Sequence, residues 1–480
     1  MTTDKRRELT KMTDSKVLSG RSGVAKFLNS YGFIWILALI TFVFWFTKQD
    51  VAGIVVIFLI MAAVLVLCED ATPVIACFIF VFFVFSQDNM SFEGKELWYA
   101  TLILPLGGFI YNVCKYKVKK FTMGGFSFAI LIALIPWLLQ GIGVENRDPM
   151  RAFLAVGVAI AFVIVYFFIY MTSRRRDKNF TEYVAQVFLA VGVMVSIEII
   201  IFHLRIEDYY FENYYTRLGW GTRNPVAAVL AMVMPVTFFY STKKNKFSFL
   251  FIVLGIAEYV MILLLQSRGV TLFATVALPV LLVYSMLCSE RKLANIITCG
   301  VCFVVFIIIL LFRKELILYL LDRLIKSKFD ENGRKPLWEA GVRLFTEHPI
   351  FGVGFDYREK VYYEVAMYTE GPTYLHSTFI QIYAALGVVG GIAYAYLYYW
   401  RYRIAFTDLN NCKFAVLVGF VVFECYCFID TVYFQPLGYF LMMIASMCME
   451  KDLDKEQVTP LVFMGVEKLR LKRKTVAVKE

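Results

Sequence analysis

The chain has 480 residues, of which 60% are hydrophobic and 18% are charged, and its formal net charge is +11. Soluble domains contain about 45–50% apolar and about 25% charged residues, so the composition excludes an ordinary soluble protein. The ten cysteines are scattered through apolar runs and loop edges, which argues against a disulfide framework. The pairs Cys299-x-x-Cys302 and Cys425-x-Cys427 have no neighbouring histidines, so we expect packing residues there and no metal site.

Fourteen apolar segments are predicted as helices that enter a membrane, because about 20 apolar residues span its hydrocarbon core. In chain order they are 31–46, 51–68, 71–86, 98–114, 122–144, 151–172, 183–204, 224–240, 247–266, 269–287, 293–312, 376–399, 414–430 and 434–449. The third and the last are short, so twelve to fourteen true spans are expected. The polar segment before the first span is too long for a cleavable leader, so we interpret that span as retained.

The basic residues predict the orientation of the spans. With a cytoplasmic N-terminus and strict alternation, 31 of the 49 Lys and Arg residues lie on the cytoplasmic side. Both termini are then cytoplasmic, and the basic C-terminal tail can contact anionic lipid. The predicted divisions are a basic tail (1–30), a bundle of about eleven spans (31–312), an extracytoplasmic segment (313–375), the last spans (376–449) and a second basic tail (450–480).

The extracytoplasmic segment is too long to be a plain connector, and loops of this length are usually functional or separately folded. Apolar residues at helical spacing predict an amphipathic surface helix around Leu316, Leu320, Leu321, Leu324 and Ile325. A second helix is predicted to open at Pro336 and to end at His348-Pro349, and YREKVYYEVAMY is predicted as a third. A structural cap and an active-site lid are both compatible with this pattern.

Four arginines and one histidine are predicted to meet on the extracytoplasmic face. Arg217 and Arg223 precede the eighth span, Arg268 lies in a break between two spans, Arg334 lies in the long segment, and His376 starts the twelfth span. Guanidinium groups bind phosphate oxygens through paired hydrogen bonds, and an imidazole serves as a general base near neutral pH. The set favours an enzyme acting on a lipid-linked pyrophosphate, whereas a single arginine at such a place could equally reach for lipid headgroups.

The stretch that begins at His376 resembles the signature of the O-antigen ligase and polymerase-like family. That signature is His-[Asn/Ser/Gln], nine residues, then Gly-x-x-[Gly/Thr/Tyr], and here His376-Ser377 stands at that spacing from Gly387 and Gly390. Upstream elements resemble the family in the same order, namely Arg217, Gly219, Asn224 and Pro225, then Ser267-Arg268-Gly269, then Gly333-Arg334 with Trp338, then His348-Pro349 with Gly352-Val353-Gly354. The family often has Asn after Asn-Pro, where this chain has Val226.

The resemblance implies an all-α polytopic membrane protein with the architecture of lipid-dependent (GT-C-like) glycosyltransferases and about 12–14 transmembrane helices. Such enzymes of the bacterial cytoplasmic membrane move a saccharide from undecaprenyl pyrophosphate to an acceptor hydroxyl, with inversion and without a metal or other cofactor. The residues that it assigns are His376 as general base, Arg268, Arg334, Arg217 and Arg223 on the pyrophosphate, and Ser377, Gly387 and Gly390 in support. The glycines are expected to allow close helix packing.

The expected partners are a polyprenyl-pyrophosphate-linked saccharide, a glycan, lipid or cell-wall acceptor, and membrane lipids, with no nucleic acid. Two other functions stay open. A shape-evolution-type peptidoglycan polymerase would depend on acidic residues such as Asp330 or Asp356, and a lipid-linked oligosaccharide flippase has a similar number of spans. The residues do not separate ligase from polymerase and do not name the sugar.

Several other polar residues in the apolar runs have open roles. His348 is predicted to belong to a structural turn, because proline and glycines surround it, and His203 is predicted to be a packed or interfacial residue at a span end. Glu198, Glu258 and Glu424 lie within predicted spans, where carboxylates are either functional or hydrogen-bonded structural groups.

Overall fold

A computed structural model describes residues 23–86, 101–116, 123–145, 149–175, 179–205, 217–312, 334–355 and 375–458. The helices of these segments are α1 (Gly23–Leu28), α2 (Tyr31–Phe46), α3 (Asp50–Leu67), α4 (Val74–Phe80), α5 (Ile103–Tyr116), α6 (Gly125–Leu139), α7 (Pro149–Thr172), α8 (Phe180–Leu204), α9 (Arg223–Ser241), α10 (Leu250–Leu264), α11 (Arg268–Leu287), α12 (Lys292–Phe312), α13 (Arg334–Glu347), α14 (Thr378–Phe406), α15 (Asn411–Cys427), α16 (Pro436–Asp452) and α17 (Lys455–Val458). Two 3₁₀ turns, Val81–Phe83 and Val432–Phe434, extend α4 and precede α16.

The protein is an all-α polytopic membrane protein, as predicted. Within the described segments, seven helices are long and apolar enough to cross a membrane. Each of the fourteen predicted apolar segments contains a helix, because a backbone in lipid must satisfy its own hydrogen bonds. The predicted surface helix at 316–325 and the predicted helix in YREKVYYEVAMY lie outside the described residues.

The first of two compact units comprises Met1–Ser86, Ser91–Lys119 and Phe168–Arg176. In this unit α3 and α5 pack closely, and a Cβ atom at Gly108 would lie 3.1 Å from the Cβ of Leu65. The Asn112 amide donates to the carbonyl oxygens of Leu65 at 2.7 Å and Cys68 at 2.9 Å, and accepts from Arg174 at 3.2 Å. The ends of α3, α5 and α7 therefore meet.

The second unit comprises Gln87–Met90, Lys120–Phe167 and Asp177–Glu480. Helix α9 is at its centre: 83% of its 18-residue apolar stretch is buried. Helices α8, α10, α11 and α15 pack around it. Helix α12 is the opposite case, because only 6% of its 18-residue apolar stretch is buried. Its sequence is apolar on nearly every face, which suits a helix that lies against lipid.

Two carboxylates of α16 cap other helices at one end of this unit. Glu450 accepts from the backbone N–H groups of Phe126 at 2.6 Å and Ser127 at 3.2 Å, at the start of α6. Asp452 accepts from the N–H groups of Phe180 at 2.8 Å and Thr181 at 2.7 Å, at the start of α8. Negative charge stabilises a helix N-terminus, so these two carboxylates are structural groups. A second polar cluster lies at the opposite end of the unit.

Candidate active site

Asp430 is at the centre of the polar cluster at that opposite end. It lies between α15 and the 3₁₀ turn Val432–Phe434, and only 6% of its side chain is exposed. Its Oδ1 is 3.2 Å from His376 Nδ1, and its Oδ2 accepts from the Tyr426 hydroxyl at 2.6 Å and from the Asn224 amide at 3.4 Å. Arg334 Nη2 lies 3.8 Å from the same Oδ2. Residues from four separate segments thus meet on one buried carboxylate.

These partners keep the Asp430 carboxylate charged. Burial by itself raises the pKa of this group, since it disfavours the charged form. The hydrogen bond and the charge of His376 act against burial, helped by donors from the Tyr426 hydroxyl and the Thr431 backbone. Their sum holds the pKa of Asp430 below its ordinary value. At neutral pH the carboxylate is therefore an acceptor for the Nδ1–H of the imidazole.

The arginines are placed at helix N-termini. Arg223, Arg268 and Arg334 are the first residues of α9, α11 and α13. A cation is unfavourable there, because the first turn of a helix already presents positive N–H groups. For α9 and α11, whose N-caps are Thr222 and Ser267, such a placement costs helix stability unless an anion lies nearby.

The start of α11 packs against Tyr426, a hydrogen-bond partner of Asp430. A Cβ at Gly269 would lie 2.8 Å from Tyr426 Cε2, so the helix start packs directly on the ring whose hydroxyl bonds to Asp430. Arg268 immediately precedes this glycine. Arg217 is different: it is exposed, pairs with Thr222 in a short hairpin, and has no described contact with His376, Asp430 or Arg334.

His376 has an unusual backbone that other residues hold in place. Its φ is +47°, a left-handed conformation that costs energy for a residue with a side chain. Its carbonyl oxygen accepts from the Trp338 indole N–H at 3.1 Å, and Ser377 caps α14 by accepting from the Ile380 N–H at 3.5 Å. The preceding Leu375 N–H donates to the Gln381 amide at 2.9 Å. The conformation is thus fixed from both sides, while 41% of the imidazole side chain stays exposed.

Gly387 breaks α14, which corrects our expectation that it serves helix packing. Its φ is +64°, so the helix loses its regular hydrogen bonds at this point. The backbone of the His348-Pro349 turn replaces them: Val388 N–H donates to the Pro349 carbonyl at 2.8 Å, and Val353 N–H donates to the Ala384 carbonyl at 2.8 Å. A Cβ at Gly387 would collide with the Ile350 carbonyl oxygen.

Gly352 and Gly354, in the turn after His348, also have the left-handed backbone conformation that Gly387 has. Gly352 has φ of +64°, and a Cβ there would collide with the Ala385 backbone. Gly354 has φ of +91° and its N–H donates to the Ala385 carbonyl at 2.9 Å. The two glycine motifs of the sequence are therefore one structural unit that stabilises the break. His348 belongs to this turn, and its carbonyl accepts from the Gly352 N–H at 3.0 Å, as predicted for a structural residue.

Helix α13 packs against both the turn after His348 and the start of α14. Its buried side chains Leu337, Ala340 and Leu344 form an apolar cluster with Val353 and Leu375. The predicted helix from Pro336 to His348 is thus confirmed as Arg334–Glu347, with its apolar face towards the start of α14.

Asp430 and Tyr426 are the residues that sequence reasoning missed. We predicted a span at 414–430, which hid Asp430 as its last residue, whereas α15 ends at Cys427. A carboxylate in Phe428-Ile429-Asp430-Thr431, between two apolar runs on the predicted outer face, was the available signal. Asn224, which belongs to the Asn-Pro element, takes a direct place in the cluster.

The other polar residues have structural partners. His203 Nδ1 is 2.8 Å from the Ile199 carbonyl oxygen, as expected of a packed histidine. Glu198 accepts from the Trp220 indole at 2.8 Å, and Glu258 accepts from the Thr237 hydroxyl at 2.8 Å. Glu424 pairs with a buried arginine, Arg401. Among the described residues, no group of three His, Cys, Asp or Glu side chains could hold a metal ion.

Comparison with known proteins supports the motif assignment. Residues 250–395 match the family model described as O-Antigen ligase. The matched region contains Arg268, Arg334, His376 and the Gly387 break, and Asp430 follows it. No curated protein matches the chain. Through residues 250–395 the chain is therefore similar to the O-antigen ligase family.

Proposed function

We propose that this chain is a glycosyltransferase of the bacterial cytoplasmic membrane that moves a saccharide from undecaprenyl pyrophosphate to an acceptor hydroxyl. The observation that carries the proposal is the pairing of His376 with the buried carboxylate of Asp430, 3.2 Å away, next to Arg334. An oriented histidine beside an anion site is the minimal equipment for this transfer.

The histidine is the general base. Because Nδ1 is committed to Asp430, Nε2 is the nitrogen that accepts a proton. The acceptor hydroxyl gives its proton to Nε2 while its oxygen attacks the anomeric carbon of the donor sugar. The bond between that carbon and the pyrophosphate oxygen breaks, and the electron pair leaves with the phosphate. Attack from the opposite face inverts the anomeric centre, and Asp430 stabilises the imidazolium that forms.

The arginines stabilise the leaving group. Arg334 lies 3.8 Å from Asp430, an ion-pair distance longer than a hydrogen bond, so its donor fork remains suited to a phosphate. Arg268 adds a second guanidinium at the start of α11, and the helix N-terminus adds backbone donors. Arg223 assists from α9, and Arg217 is the weakest of the four proposed ligands because it is exposed on its hairpin.

The basic-residue bias supports an extracytoplasmic site. Alternation puts the starts of α9, α11 and α14 on the face opposite the basic loops, where lipid-linked saccharides are consumed after translocation. Both termini are then cytoplasmic. The polyprenyl tail would lie between helices, and the charged head would lie at the arginines.

Reconstitution tests the proposal directly. Purified protein in liposomes is given an undecaprenyl-pyrophosphate-linked oligosaccharide and an acceptor, and the glycosidic product is measured for wild type and His376→Ala. We expect product from wild type and a fall of about 10²- to 10⁴-fold in the variant, the range of a lost general base. His203→Ala is the matched control, since that histidine contacts the Ile199 carbonyl of its own helix.

Other outcomes identify other functions. Translocation of the lipid-linked saccharide without any glycosidic product would identify a flippase. Full transfer by His376→Ala together with loss in Asp330→Asn or Asp356→Asn would favour the chemistry of a peptidoglycan polymerase. Either result overturns the histidine mechanism.

A further inference from the structure

A buried ion pair between α14 and α15 takes no part in the proposed chemistry. Arg401 is 1% exposed within α14, and its Nη1 donates to Glu424 on α15. Its Nη2 donates to the Tyr433 hydroxyl at 2.7 Å. A buried charge pair inside a membrane protein rarely adds net stability compared with apolar packing, so its presence requires another reason.

Aromatic rings hold the guanidinium in one orientation. It lies 4.9 Å from the ring centre of Tyr398, 5.5 Å from that of Tyr433 and 5.9 Å from that of Phe420. Glu424 is held in turn by the Tyr402 hydroxyl, which donates to its other oxygen. Ionic, hydrogen-bonding and cation–π contacts thus fix one arginine from several sides.

The segment that this arginine reaches is the one that carries Asp430. Tyr433 lies three residues after Asp430, and Tyr426, which donates to Asp430, lies on the same helix as Glu424. The Asp430 carbonyl oxygen also accepts from the backbone N–H of Thr378 at 3.2 Å and from its hydroxyl at 3.1 Å. The segment from Phe428 to Tyr433 is therefore held on both sides of Asp430: α15 precedes it, and Arg401 bonds to Tyr433 at its end.

Because α14 is broken at Gly387, the contacts of Arg401 with this segment bear on the position of His376. His376 is joined to the first half of α14, and Arg401 lies in the second half, beyond the residue with φ of +64°. A broken helix does not transmit position rigidly from one half to the other. The contacts through Tyr433 and Asp430 therefore provide another connection from the second half of α14 to the histidine.

We propose that Arg401, Glu424 and Tyr433 form a positioning anchor that holds the Asp430 carboxylate in line with the His376 imidazole. The anchor acts through Asp430 and touches no substrate. Its effect on transfer rests on the proposed function, whereas its effect on the geometry of His376 and Asp430 does not. A carboxylate displaced by about 1 Å orients the base poorly, and such displacements can lower rates by about 10²-fold.

Histidine NMR tests the anchor without any activity measurement. The chain has only three histidines, so ¹³C-histidine labelling in nanodiscs gives three ring signals, and His376→Gln assigns the one of interest. Tyr433→Phe removes the hydroxyl that Arg401 holds and keeps the ring. We expect the titration midpoint of the His376 signal to move in the direction that Asp430→Asn moves it, with Glu424→Gln giving a shift of the same sign.

Tyr399→Phe is the matched control. It removes a tyrosine hydroxyl of the same helix that accepts from a different arginine, Arg403, at 2.9 Å and leaves the link from Arg401 to Tyr433 in place. We expect its midpoint to equal that of wild type. A wild-type midpoint in Tyr433→Phe, or an equal shift in Tyr399→Phe, would overturn the anchor in favour of plain structural packing. Elution as a monodisperse species and an unchanged signal for His203 show that each variant is folded.

Transfer kinetics give the second readout. We expect Tyr433→Phe to lower kcat about tenfold or more with KM little changed, because positioning the base affects the transition state more than donor binding. A rise in KM at constant kcat would contradict the anchor. If His376→Ala kept full activity, the proposed function would fail, and the NMR midpoints would still decide whether the anchor positions Asp430.

Discussion

The imidazole of His376 and the carboxylate of Asp430 meet at 3.2 Å across 54 residues of sequence. One lies before α14 and the other after α15, and neither is part of a helix. The pair resembles in geometry the histidine–carboxylate arrangements that orient a general base in unrelated enzymes. It turns a conspicuous histidine into a residue with a defined tautomer.

Replacement of the carboxylate tests that role. We expect Asp430→Asn to lower kcat on the order of 10²- to 10⁴-fold, because the amide can hold the imidazole in the wrong tautomer and cannot stabilise its charged form. Transfer kinetics and thermal unfolding of the same variant measure the effect. An unchanged kcat with reduced protein stability would indicate that Asp430 is structural only.

The stability of the protein should depend on Asp430 in acid. The fold holds the pKa of this carboxyl below its ordinary value of about 4, so its contribution is present above that value and is lost as the pH falls through the lower folded pKa. Thermal unfolding of wild type and Asp430→Asn in detergent from pH 7 to 3 should therefore show a gap that closes on acidification. A gap that widened towards pH 3 would contradict the assignment.

The arginines should be needed for their shape as well as their charge. We expect Arg268→Lys and Arg334→Lys each to reduce transfer about 10- to 100-fold, the equivalent of one charged hydrogen bond, since lysine lacks the planar fork. Arg217→Lys is the comparison, because the exposed Arg217 side chain should tolerate the change. Initial rates at saturating acceptor measure the effect, and equal rates in all three variants would exclude paired phosphate binding.

The break in α14 should tolerate no side chain. Gly387→Ala places a Cβ against the Ile350 carbonyl in a left-handed backbone, so we expect a loss of stability of about 2 kcal/mol or more. Gly300→Ala in α12 is the control, since a Cβ there meets no atom within 4 Å and alanine favours the helix by up to about 1 kcal/mol. Unfolding midpoints in detergent compare the two. If both variants were equally stable, the turn at Pro349 would not depend on the glycine.

Much of the fold is readable from the sequence because its causes are local. Apolar runs such as Tyr31–Phe46 must form helices in lipid, and the basic loops predict their alternation. The helix from Arg334 to Glu347 follows from Pro336, the apolar spacing and the His348-Pro349 stop. The ends were less certain, since the predicted span at 414–430 ends in fact at Cys427.

The sequence by itself determined an all-helical membrane protein, a histidine at a span start, and arginines near it. Tertiary structure decided which of these meet. It brought Asp430 to His376 and Arg334, left Arg217 exposed, and paired the Gly387 break with the turn after His348. The physical reason is range: helix formation depends on neighbours along the chain, whereas a buried carboxylate or a broken helix acquires its partners only when distant segments pack.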